Sequence, residues 1–238
     1  MDRPQQGPAD IEPRKRLAVL ANAVADAKAL MEHGEHETDV GAHFVVTPEQ
    51  VNRTIGNWPE AAKLGVRQMV EQYGQPNEGT PTKLLWFNRG PWKRIQVTGD
   101  EVVQKFPTPH ADFLTQYIAY EVPVDKLSDL GRYDGSCLID RTMGEAAARC
   151  DSEAANMLTL NLMHDIVSGT RSVDDARAFY SETLSTYCLG EPAPYCEAFQ
   201  FEVSRGGSGD PDQPVAPGPK ARQVTAKVVE FLSTSGKS

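Results

Sequence analysis

His110 and Asp112 are separated by one residue in the run Phe106-Pro107-Thr108-Pro109-His110-Ala111-Asp112. An imidazole with a carboxylate two positions away is a minimal set for general acid–base work. The ring exchanges a proton near neutral pH, and the carboxylate orients it. Pro107 and Pro109 restrict the backbone on either side of Thr108 and so fix how His110 leaves the preceding segment. Trp86, Arg89 and Trp92 lie a short way upstream, where they could wall a pocket and hold a ligand. No nucleophile stands at a matching spacing, so the same residues also suit a plain turn in which Asp112 serves backbone amides.

Three further groups could carry chemistry. His33, His36 and His43 fall among Glu32, Glu35, Glu37 and Asp39, and neutral imidazoles with carboxylates can ligate a zinc-like ion. Their spacing matches no established ligand pattern, and a solvated helix end explains them equally well. Arg141, Glu145 and Arg149 stand four apart, which on a helix makes a charged ladder. The two arginines could instead clamp a small anion. Asn161 and His164 interrupt an otherwise apolar segment and lie about 60° apart on a helix, so burial would oblige them to find polar partners.

Several function classes lose support. The chain has no phosphate-binding glycine loop with its lysine, no dinucleotide fingerprint and no G-x-S-x-G nucleophile turn. Its 238 residues carry a formal net charge of −9, which repels nucleic acid at long range. No apolar run approaches the roughly 18 residues of a membrane-spanning helix. None of the cysteines at 137, 150, 188 and 196 forms a C-x-x-C pair, although Cys188 and Cys196 bracket a short loop that a disulfide could close. These features suggest a soluble protein, cytoplasmic by default or exported if a leader once preceded Met1. They name no cofactor.

The elements that must position these residues read as α+β. Residues 13–34 and 47–73 have helical periodicity, with Thr47 and Gln50 spaced as a capping box. The runs "TKLLWF", "WKRIQV" and "EVVQKF", divided by "NRGP" and "TGD", form an antiparallel meander, and "TQYIAYEV" and "SCLIDRT" are further strand candidates. The expected sheet has three to five strands and packs against the N-terminal helices. A mainly helical second half follows, with "GEAAARCDSEAANMLTLNLMHDIVSG" read as one long buried helix. The expected organisation is a flexible arm over 1–12 and one globular domain over 13–204. Within that domain the helices and meander reach about 122 and a helical part spans 123–187. A Gly/Pro-rich linker covers 205–220 and an amphipathic tail 221–238.

The expected function is a binding or protein-interaction module, with a partner meeting the N-terminal arm or the C-terminal helix. The alternatives are an enzyme using His110 and Asp112 on a small anionic substrate, and a metal-binding protein using His33, His36 and His43.

Overall fold

A computed structural model describes residues 11–33, 41–204 and 211–235. They fall into two compact units. One contains α1 (Pro13–His33) and α8 (Pro219–Ser235), which pack against each other. Leu20, Val24, Leu30 and Met31 of α1 remain exposed.

The other unit lies within Glu37–Asp212. It opens with α2 (Pro48–Ile55), which starts at a capping box: the Thr47 side chain accepts from the Gln50 amide, and the Gln50 side chain accepts from the Thr47 amide. Next come α3 (Glu60–Tyr73) and strands β1 (Glu78–Thr80), β2 (Lys83–Arg89), β3 (Trp92–Gln104) and β4 (His110–Ala119). A 3-10 turn at Val124–Lys126 leads into α4 (Leu127–Tyr133), then β5 (Cys137–Asp140) and β6 (Glu145–Cys150). The unit finishes with α5 (Glu153–Ser168), α6 (Val173–Cys188) and α7 (Pro194–Glu197). The fold is α+β, and the wholly antiparallel sheet has six strands in the order β1-β2-β3-β4-β6-β5.

That is one strand more than the upper bound expected: β1 and β6 are additional, while two expected strands join as β3. "EAAARC" has the composition of a helix but is a strand, paired with β4 on one side and β5 on the other. Helical propensity is weak beside two complete ladders and a buried position, and the alanines pack closely at 0–1% exposure. The helix begins only at Glu153, where the Ser152 hydroxyl caps the Ala155 amide. β3 likewise runs through "TGD" without a turn and absorbs it as an irregularity between Val97 and Val102. Beyond the sheet, Ser204 forms an isolated antiparallel bridge to Ala119.

The two faces of the sheet differ. Ile95 and Val97 pair with Gln116 and Leu114, and this face is covered by α5, whose Leu158, Leu160, Leu162 and Met163 are fully buried. Alternation places Arg94, Gln96, Thr115 and Tyr117 on the opposite face. Arg94 lies there over the Tyr117 ring at 4.0 Å and pairs with Glu145, which also binds Lys93 at 2.7 Å. Among the described residues, no helix is long and apolar enough to cross a membrane.

Candidate functional site

Strand alternation explains the first part of the site. β4 starts at His110, so His110 and Asp112 share one side of it. The preceding Phe106–Pro107 peptide is cis, and the Thr108 carbonyl comes back to meet His110 Nδ1 at 2.7 Å. The third member arrives from across the sheet: Cys150 ends β6 opposite Leu114 of β4. Its Sγ lies 3.3 Å from His110 Nε2, and the same Nε2 lies 3.1 Å from Asp112 Oδ1. The three ligand-type atoms all fall within 4.8 Å of one another.

A second layer surrounds them. The turn after α4 brings Ser136, whose hydroxyl donates to Asp112 Oδ2 at 2.6 Å while its amide donates to Asp134 Oδ1 at 2.8 Å. Arg149 Nε stands 3.6 Å from Asp112 Oδ2. The Tyr180 hydroxyl is 3.9 Å from Cys150 Sγ, and its ring packs on Phe106. Asp112 is fully buried, and its Oδ1 has no hydrogen-bond donor, because the close contact with Nε2 is poorly aligned for one.

The electrostatics follow from burial. Removal from water raises the Asp112 pKa, opposed by the Ser136 hydrogen bond and by the charges of His110 and Arg149. Burial raises the buried Asp134 in the same way. It pushes the Cys150 thiol far above its ordinary range, with the Asp151 carboxylate adding to the effect. Cys150 is therefore a protonated thiol in the protein alone, the opposite of an activated nucleophile. The thiol donates to Nε2 once Nδ1–H is committed to the Thr108 carbonyl, so both nitrogens of His110 are engaged by protein atoms.

Arg149 also belongs to a cleft on the opposite, uncovered sheet face. This cleft encloses about 540 Å3 and is lined by Trp58, Lys83, Gln96, Thr98, Asp100, Thr115, Tyr117 and Arg149. Arg149 is half-buried at 29% side-chain exposure, and among the described residues only its Nε meets a carboxylate.

The other residues singled out by sequence lie elsewhere. Trp86 is buried and donates to the Gly74 carbonyl at 2.8 Å. Trp92 is buried too, and its Nε1 donates to Glu153 Oε1 at 2.5 Å beside Tyr73. Arg89 is at the end of β2, paired with Trp92. Arg141 falls in the β5–β6 turn and binds Asp212 at 2.8 Å. Because 145–150 is a strand, Arg141, Glu145 and Arg149 form no helical ladder: Glu145 turns to Lys93 and Arg94, and Arg149 to Asp112. Asn161 holds α7 and the segment after it, donating to the Tyr195 and Ala198 carbonyls and accepting from the Gln200 amide. His164 meets the Tyr120 hydroxyl at 2.8 Å and stacks on Phe201 at 4.3 Å. His36 lies outside the described residues, His33 is the last residue of α1, and His43 belongs to the turn before α2. Among the described residues, His110, Asp112 and Cys150 are the one group of such side chains with metal-ligand spacing. All four cysteines are free thiols.

Compared with known protein families, with curated proteins and with solved structures, the chain matches none. The site therefore stands on its own geometry. Sequence reasoning missed Cys150, Ser136 and Lys83, which reach their places only through strand pairing. The Asp151-Ser152 break before an acidic first helical turn was the available signal that Cys150 ends a strand.

Proposed function

We propose that this chain is a binding module that holds a small polar anion in the cleft on the uncovered face of its sheet. The observation carrying this reading is that Lys83 and Arg149 line one cleft, and the terminal nitrogens of neither take a partner among the described residues. A planar guanidinium with a free edge binds a carboxylate or phosphate through two parallel hydrogen bonds, and a nearby ammonium adds charge without fixing geometry. Thr98, Thr115 and Gln96 supply neutral donors, while Tyr117 and Trp58 supply aromatic walls. The volume suits a metabolite-sized ligand. Asp100, which also lines the cleft, would disfavour a second negative charge beside it.

An enzyme using His110 and Asp112 on a substrate has less support. The imidazole faces Thr108 on one edge and Cys150 on the other, and Asp112 is wholly buried, so neither group is presented to a ligand in the cleft.

Calorimetric titration of the full chain with inorganic phosphate and with small mono- and dicarboxylates tests the proposal. We expect saturable 1:1 binding of at least one anion, weakened about tenfold or more by Lys83→Gln and by Arg149→Gln, since each loses a charge-assisted contact of roughly 1.5–3 kcal/mol. Binding unchanged in both variants, or no saturable binding of any anion, would overturn it.

A further inference from the structure

We propose that His110 Nε2, Asp112 Oδ1 and Cys150 Sγ form the binding site for one divalent transition-metal ion of the zinc class. The inference does not rest on the identity of the cleft's ligand. Bond lengths of roughly 2.0–2.3 Å in a tetrahedral site put neighbouring ligand atoms about 3.3–3.7 Å apart. The observed separations, 3.3 Å from Nε2 to Sγ and 3.1 Å from Nε2 to Oδ1, are within a few tenths of an ångström of those edges.

Three further features agree. Asp112 Oδ1 is a fully buried carboxylate oxygen with no hydrogen-bond donor among the described residues, in a group whose ligand-type atoms all lie within 4.8 Å of one another. A bare carboxylate oxygen and a ring nitrogen facing each other need a positive centre between them. The outer contacts are those that orient metal ligands. The Thr108 carbonyl takes Nδ1–H and leaves Nε2 as an acceptor, released for a metal once the Cys150 thiol that meets it loses its proton, while Ser136 and Arg149 hold the other oxygen of Asp112. An ordinary imidazolium–carboxylate pair would aim Nε2–H at Oδ1, which the misaligned contact does not do.

The donor set selects the metal. Thiolate, imidazole and carboxylate together suit zinc, cobalt or a neighbouring ion, whereas magnesium and calcium require oxygen donors. On binding, the Cys150 S–H bond breaks, a metal–sulfur bond forms, and the proton leaves to solvent. Thiolate and carboxylate then balance the two charges of the ion, with neutral imidazole as third ligand. The fourth position is left for water or an incoming ligand, the arrangement of an open rather than a closed site.

The test uses the full, untagged chain, stripped with chelator and then given cobalt(II). We expect one cobalt per chain by native mass spectrometry, visible absorption of a tetrahedral ion, and a near-ultraviolet thiolate-to-cobalt band. Cys150→Ser should abolish that band, and His110→Ala should weaken retention about tenfold or more. The combined variant His33→Ala, His36→Ala, His43→Ala and the cleft variant Lys83→Gln should leave the spectrum unchanged, so failure of the anion proposal and failure of this one are separable. If Cys150→Ser does not fold by circular dichroism, the wild-type chain still decides: in urea that partly unfolds the metal-free chain and so exposes the buried Cys150, cobalt should slow its alkylation, mapped by peptide mass spectrometry. No cobalt retained at micromolar concentration, a spectrum without the thiolate band, or a spectrum lost with His33, His36 and His43 would each overturn the proposal.

Discussion

Asp112→Asn tests the electrostatics of the buried cluster without changing its shape. The carboxamide oxygen can accept from the Ser136 hydroxyl, now 2.6 Å from Oδ2. The amide nitrogen replaces Oδ1, 3.1 Å from His110 Nε2, and offers a second hydrogen to the nitrogen that the Cys150 thiol meets at 3.3 Å. That gain is about 1 kcal/mol. The loss is the contact with Arg149, which at 3.6 Å and 29% exposure is worth below about 1 kcal/mol. The two nearly cancel, so metal-free Asp112→Asn should be within about 1 kcal/mol of wild type at pH 7. The pH dependence has a definite sign. Burial holds the Asp112 pKa above its unfolded value, so the native state binds more protons in the window between the two. Its contribution is fully present below the unfolded carboxylate pKa of about 3.9 and declines as pH rises through the folded value. His110 and Arg149 facing Asp112 reduce this effect without reversing it, and Asp134 contributes with the same sign. Urea unfolding of chelator-stripped protein from about pH 4 upward should show the Asn variant gaining on wild type until the pH passes the raised folded value of Asp112. A loss of about 3–5 kcal/mol at pH 7, the cost of breaking a tight buried ion pair, would refute this reasoning.

Other consequences concern packing, buried donors and thiols. Gly65 sits inside α3, where alanine ordinarily gains about 1 kcal/mol, but a Cβ there would come 2.5 Å from the Phe113 ring. Gly65→Ala should therefore destabilise by about 1–3 kcal/mol in thermal unfolding, and a raised Tm would contradict the packing described here. Glu153 Oε1 accepts from Tyr73, Trp92 and Gln116 at 2.5, 2.5 and 3.1 Å. Glu153→Ala strands these donors and should cost about 2 kcal/mol or more, with Glu153→Gln retaining part of the loss; an unchanged urea midpoint in the alanine variant would contradict this. In a native thiol-reagent assay Cys188, the exposed cysteine, should react first. Burial pushes Cys196 up to about 11 and raises Cys137 and Cys150 further, so these three should respond only on unfolding, and rapid labelling of Cys150 would contradict its burial.

The fold class and most element positions were legible in the sequence because the signals were local. The Thr47 capping box, the alternation of Ile95 and Val97, and the apolar wrap of α5 each sit within one element. The candidate cluster was legible only by half. His110 and Asp112 are two residues apart, and alternation alone puts them side by side. Cys150 comes from 40 positions downstream through the β4–β6 pairing, which no local pattern encodes. Its strand was also disguised, since alanine favours helix unless a sheet closes around it. Arg149 reaches Asp112 for the same reason, while Arg141, read with it as a pair, is drawn away to Asp212. Asn161 and His164 stood out as polar groups in an apolar helix, and their partners lie in and just after α7 and just past the end of β4, invisible until those segments fold around α5.

The central claim is that the uncovered face of the sheet receives an anion between Lys83 and Arg149. Amide chemical-shift mapping during titration of the full chain with the tightest-binding anion reads this directly. The predicted result is saturating, coincident shifts confined to residues around Lys83, Gln96, Thr98, Thr115, Tyr117 and Arg149. Shifts that never saturate, or that cluster on α1 and α8 while the cleft stays silent, would contradict it.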